Sequence, residues 1–234
     1  MKKWSLFFII LCLFGCIEEN HPLPPTSYVY PNGEAVSDIN GMPLNSETFY
    51  FPQAQLPDSL KGNWRYELQD FSNQWYSRVL YRSGEPVLFN QYIHRELYRF
   101  TWLRSFKSDV ILILEKTPTG IILIEKEVIQ KAIPDIDGGH KLDYHLISTR
   151  MIPVKEGFWN QFNDLVEEKG FHNMPMYKQL VGGSDGAEWI LEKHGRTGYH
   201  VVNRWTPREH RYAQFRLICD QLIDISSFSD EQRY

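Results

Sequence analysis

Two apolar runs joined by a four-residue turn constrain this chain most. Residues 109–116, Asp-Val-Ile-Leu-Ile-Leu-Glu-Lys, and residues 121–128 flank Thr117-Pro118-Thr119-Gly120. Short aliphatic runs bounded by an early proline and a late glycine predict a β-hairpin. Residues 95–106 alternate before it. Tyr98, Phe100 and Trp102 fall on one face of that strand, with Arg99, Thr101 and Leu103 on the other. Residues 75–82 fit a strand or a short helix equally, because the apolar run is too short to decide. Residues 134–139 read as a loop and 141–151 as another strand. A helical stripe of Phe158, Phe162, Leu165 and Val166 occupies 155–169, with Gly170 at its C-terminal cap. Residues 187–193 and 199–205 are two further strands with a turn around Gly195 and Gly198. Thr206-Pro207-Arg208-Glu209 has the form of a capping box, and Phe215, Ile218, Cys219 and Leu222 follow at helical spacing. Hairpins and helices in this order predict an α+β domain. It is a mainly antiparallel sheet with two principal helices packed on one face, in a single globular unit over residues 47–234.

The N-terminus predicts location. Lys2 and Lys3 precede an apolar run that ends in Leu13-Phe14-Gly15-Cys16. A basic start, a short apolar stretch and a small residue at the cleavage point make a secretory signal over 1–15. With cysteine next, the segment resembles a bacterial lipoprotein signal. That resemblance implies a diacylglyceryl thioether on Cys16, which becomes the acylated mature N-terminus. The alternative is an ordinary signal in which Cys16 is incidental. Ile17, Glu18 and Glu19 resemble the start of some surface lipoproteins, which points to the outer membrane. Residues 16–46, rich in proline, read as a lipid-anchored tether. A loop wrapped on the domain is the other possibility, with Tyr28, Val29 and Tyr30 docking.

Composition excludes several functions. Of three cysteines, only Cys219 lies in the body of the chain, so no internal disulfide is expected there. Among apolar neighbours it reads as a small buried hydrophobe. Losing Lys2 and Lys3 with the signal takes the basic residues from 25 to 23 against 29 acidic ones, a net charge of −6. Nucleic acid is therefore not an expected partner. No histidine pair shows metal-ligand spacing, so neither a metal site nor a cofactor is expected. Gly182-Gly183-Ser184-Asp185-Gly186 lacks the lysine of a P-loop and the spacing of a nucleophile elbow, and reads as a tight turn or bulge.

The densest polar constellation is Asp185, Glu188, His200 and Arg204. Glu188 and Glu192 share one strand face; His200 and Arg204 share a face of the next strand. One register sets Arg204 beside the Trp189 indole, and a one-residue shift sets the glutamates beside His200 and Arg204.

Two stretches, Tyr98 to Phe106 and Asp185 to Glu192 continuing through Tyr199–Val202 to Arg204-Trp205-Thr206-Pro207, resemble a recurring family of bacterial proteins. The likeness covers roughly residues 75–225 and implies no particular activity, ligand or catalytic residue. Two functions remain in view. One is a non-enzymatic, lipid-anchored envelope protein that binds or scaffolds another envelope component. The other is an envelope hydrolase built on the Asp185–Arg204 cluster. They separate on whether those four side chains meet at the floor of one enclosed cleft.

Overall fold

The computed structural model describes residues 27–28, 36–52, 64–134, 138–176, 185–208, 210, 212–231 and 233. The signal, Cys16, Gly182-Gly183-Ser184 and Glu209 lie outside them. The protein is α+β. Its strands are β1 (Ser27–Tyr28), β2 (Glu96–Arg104), β3 (Asp109–Thr117), β4 (Gly120–Pro134), β5 (His140–Val154), β6 (Ala187–Gly195) and β7 (Gly198–Trp205). They form one sheet in the order β1-β7-β6-β2-β3-β4-β5, antiparallel throughout. The helices are α1 (Trp64–Arg82), α2 (Glu156–Glu168) and α3 (Ala213–Asp224).

Alternation along the strands builds a core on each side of the sheet. On one side Tyr98, Phe100, Trp102, Leu112, Trp189 and Val202 are buried with Phe162 and Val166 of α2 and with Phe215, Ile218 and Leu222 of α3. On the other, Leu97, Leu103, Ile111, Ile113, Ile190 and Val201 are buried with Tyr76, Val79 and Leu80 of α1. The two expected helices thus share a face, and α1 covers the opposite one. Its inner stripe includes buried Asn73 and Ser77 beside Tyr76, Val79 and Leu80. Residues 75–82, which fit a strand or a short helix in sequence, belong to this helix, whose 19 residues extend well past the short apolar run.

Two expectations change. Residues 16–46 are not a tether throughout. Ser27–Tyr28 adds to β7 at the sheet edge, and residues 36–46 are bound to the domain. Ser37 bridges to Pro43, and the Val87 N–H donates to the Gly41 carbonyl at 2.7 Å. The capping box is also not formed. Thr206 lies just beyond β7 at φ 41°, and α3 begins at Ala213 behind Tyr212 at φ 65°, with no side-chain cap. The Thr206 hydroxyl instead accepts from the Ala187 N–H at 3.0 Å, and the Thr206 N–H donates to the Ala187 carbonyl at 2.7 Å. The open end of the β6–β7 ladder offers these groups in fixed geometry. A helix N-terminus would leave them unmade. Gly186, at φ 153°, makes this close approach possible: a Cβ there would lie 2.7 Å from the Trp205 ring.

Candidate functional site

The sheet divides the predicted constellation. Trp189 pairs with Arg204, Glu188 with Trp205, and Lys193 with His200. Partners across an antiparallel ladder share a side. Trp189, His200 and Arg204 therefore face α2 and α3, while Glu188 and Glu192 face α1. Asp185 is exposed ahead of β6. The four side chains do not converge on one cavity.

Each has a local explanation. Arg204 is buried, and its guanidinium donates to the carbonyls of Met176 at 3.0 Å, Asn203 at 2.6 Å and Pro175 at 2.9 Å. It stacks over Tyr212 (5.3 Å) and Phe215 (5.8 Å), the aromatics of the α3 side. Burial lowers its pKa to about 10. His200 is buried edge-on to Phe171, 4.8 Å between ring centres. Burial raises the Glu188 carboxyl to about 7, against hydrogen bonds from Tyr76 and Asn203 that favour its ionised form.

An ionic network absent from the sequence expectations fills the α1 face. Arg99 and Glu192 are fully buried partners: Nε donates to Oε2 at 2.6 Å and Nη2 to Oε1 at 2.8 Å. Arg99 Nη1 also donates to the Pro86 carbonyl at 2.7 Å, and the Tyr199 hydroxyl donates to Glu192 at 2.9 Å. Glu85 lies 3.5 Å from Arg99 and 2.6 Å from Lys126. Nearby, the His194 Nδ1 bonds the Leu88 carbonyl at 2.8 Å, while Nε2 accepts from the Ile93 N–H at 3.3 Å. That pairing fixes the neutral tautomer with its proton on Nδ1. Burial, chiefly, lowers its pKa to about 4. These bonds pin residues 85–93 across the sheet, so the network holds the fold together. A sequence signal existed: Arg99 and Glu192 are charges in the middle of otherwise apolar strands.

Asp109 extends this to pH. Its carboxylate accepts from the Arg104 N–H at 2.9 Å, yet burial raises its pKa to about 7 against the Arg104 bond and charge. The folded state then holds a proton that the unfolded chain releases near pH 4. Between about pH 4 and 7 the native state binds more protons, so stability falls as pH rises. Urea unfolding across that range should show the fall, and Asp109→Asn should reduce its slope. Glu188, raised in the same direction, accounts for a remaining slope.

What is open on the surface is a cleft of about 900 Å³ between α1 and the β4–β5 hairpin. Trp75, Arg78, Tyr81 and Arg82 line it from α1, and Leu142, Asp143 and Tyr144 from β5. Arg82 pairs with Asp143 at 2.9 Å; Arg78 has no carboxylate partner among the described residues. A smaller cavity of about 310 Å³, lined by Tyr98, Trp159, Asn163 and Lys193, lies on the α2 side. Beside it the Lys193 ammonium is 3.0 Å from His172 Nε2, itself 3.0 Å from Glu167. Burial lowers the pKa of both His172 and Lys193. No described cluster of three or more His, Cys, Asp or Glu side chains could hold a metal, and no described helix is long and apolar enough to cross a membrane. No protein-family model, no curated protein and no solved structure matches the chain.

Proposed function

We propose that this chain is a non-enzymatic binding module of the bacterial envelope, tethered through lipid on Cys16 and recognising another envelope protein through the α1–β5 cleft. One observation carries the reading. Of the residues that resembled a catalytic cluster, Glu188, His200 and Arg204 are split by the sheet and taken up in packing and Asp185 lies exposed apart from them, whereas the cleft presents Trp75, Tyr81 and Arg78 to solvent-accessible space. Aromatic and arginine side chains are the usual anchors of protein recognition. Arg78, with no carboxylate partner among the described residues, favours a partner carrying carboxylates there. The lipid would hold the module at the membrane, because more than one acyl chain suffices for stable anchoring.

One experiment covers both parts. A photocrosslinking residue replaces Gln74, an exposed α1 residue lining the same cleft, in intact cells, with the same residue at exposed Leu217 on α3 as control. The expected result is an adduct specific to position 74 and lost with Arg78→Ala or Tyr81→Ala. In the same cells Cys16→Ser should move the protein out of the membrane fraction or stop its processing. Equal adducts from both positions would end the cleft reading. Unchanged membrane partition and mass for Cys16→Ser would end the anchor reading.

A further inference from the structure

We infer that the outer edge of β5 is a self-association surface, on which a second copy of this chain adds its own β5 antiparallel and continues the sheet. This edge adjoins the cleft and shares Leu142 and Asp143 with it. β5 is the terminal strand, and it runs from His140 to Val154. At the opposite edge β1 pairs with Tyr199 and His200 of β7; no described strand pairs with the outer edge of β5. Long free edges attract other strands, and proteins blunt them with charge, proline or a covering segment. β5 carries Pro153 near its end and a bulge at Ile147, yet it still exposes Leu142, Leu146, Ile147 and Met151, at 59%, 40%, 51% and 66%.

The register of β5 against β4 shows what fits. Ser148 pairs with Glu127 and Leu146 with Val128, so Ile147 is the extra residue of a bulge. The bulge flips the alternation. Leu142, Leu146 and Met151, opposite Ala132, Val128 and Ile124, therefore share one side, and Asp143 and Arg150, opposite Lys131 and Glu125, share the other. Place a twofold axis at Leu146 and count past Ile147. Leu146 then meets its own counterpart. Met151 faces Leu142 of the second copy, and Arg150 faces its Asp143. Each of the last two pairs occurs twice. Apolar meets apolar and cation meets anion. Centring the axis on His145 would set Arg150 against Lys141, and centring it on Ser148 would set it against His145. Charge therefore selects one register among the three.

The groups are free to take part. The Arg150 side chain is 65% exposed, and the nearest acid, Glu125 at 3.9 Å, is held by the Ser227 N–H and hydroxyl, each at 2.7 Å. Asp143 Oδ1 takes Arg82 and the Tyr144 N–H, while Oδ2, 4.0 Å from His145, is the oxygen left for a second cation. A twofold contact of this kind is closed: it uses up both edges and does not propagate into fibres.

Disulfide trapping in intact cells tests it. Directly opposed residues in such a pair have Cβ atoms about 4.5–5.5 Å apart, a separation small adjustments bring within disulfide reach. Leu146→Cys should form a disulfide-linked dimer under mild oxidation. Leu217→Cys, equally exposed on α3, should not, and the native Cys219 is buried. Co-expressed Leu142→Cys and Met151→Cys copies should crosslink with each other, which fixes the register. Adding Arg150→Asp to Leu146→Cys should cut trapping about tenfold, since it opposes like charges twice. Adding Asp143→Arg as well should restore it. Trapping of Leu146→Cys no greater than that of Leu217→Cys would overturn the proposal, as would trapping indifferent to Arg150→Asp.

Discussion

Glu192→Ala should lower the unfolding free energy by about 3–5 kcal/mol, as when one partner of a buried ion pair is removed. The cost does not come from a lost attraction alone. Arg99 stays fully buried, and it keeps the Pro86 carbonyl and the more distant Glu85 but loses two short bonds to a carboxylate. Tyr199 loses its acceptor as well. Glu192→Gln should cost less, because an amide oxygen still accepts from one of these donors. The double variant Arg99→Met, Glu192→Leu should recover much of the loss, since a well-packed apolar pair replaces the ions without leaving a charge behind. Chemical denaturation of the four proteins measures this. Equal stability of Glu192→Ala and the wild type would show that Arg99 finds water or another partner.

Arg204→Ala should cost about 3 kcal/mol, a sum of hydrogen bonds from a charged donor and lost stacking. The guanidinium ties the carbonyls of Pro175 and Met176 to β7 and lies against Tyr212 and Phe215. Its removal takes the guanidinium from the Pro175 carbonyl, leaves Met176 with the Asn203 N–H at 2.8 Å, and opens a cavity beneath α3. Arg204→Lys should recover little, because one ammonium cannot reproduce a planar group that bonds three carbonyls and stacks. Thermal unfolding reads the loss. Adduct formation from position 74, per folded molecule, should not change, since Arg204 lies on the other side of the sheet from the cleft. A stable Arg204→Ala protein with weakened adduct formation would return this residue to the functional site.

Much of the fold was legible because period-two and period-3.6 patterns report burial directly. The 109–128 hairpin, the β2 faces, the α2 stripe with Gly170 at φ 65°, and the β6–β7 pair all appear where the pattern put them. The failures have specific causes. The apolar run at 75–82 is too short to tell a strand from a helix, and α1 extends well past it over 19 residues. Thr206-Pro207-Arg208-Glu209 has the residues of a cap, but tertiary competition from Ala187 takes the hydroxyl first.

The candidate site was less legible. Sequence placed Glu188, His200 and Arg204 on strand faces correctly in parity but left the register open, and register alone decides whether a glutamate sees an arginine. Once Trp189 pairs with Arg204, the acids and bases lie on opposite sides of the sheet. Likewise, nothing local says that Arg99 meets Glu192, or that Arg150 and Asp143 come to share one side of β5 past the bulge at Ile147. The sequence by itself determined strands β2 to β7, the second and third helices and the class of the fold, because those follow from the spacing of apolar side chains within one segment. Which charges meet was decided only by the tertiary structure, since a charge pair depends on the alignment of segments distant in the chain, and a slip of one residue reverses every face.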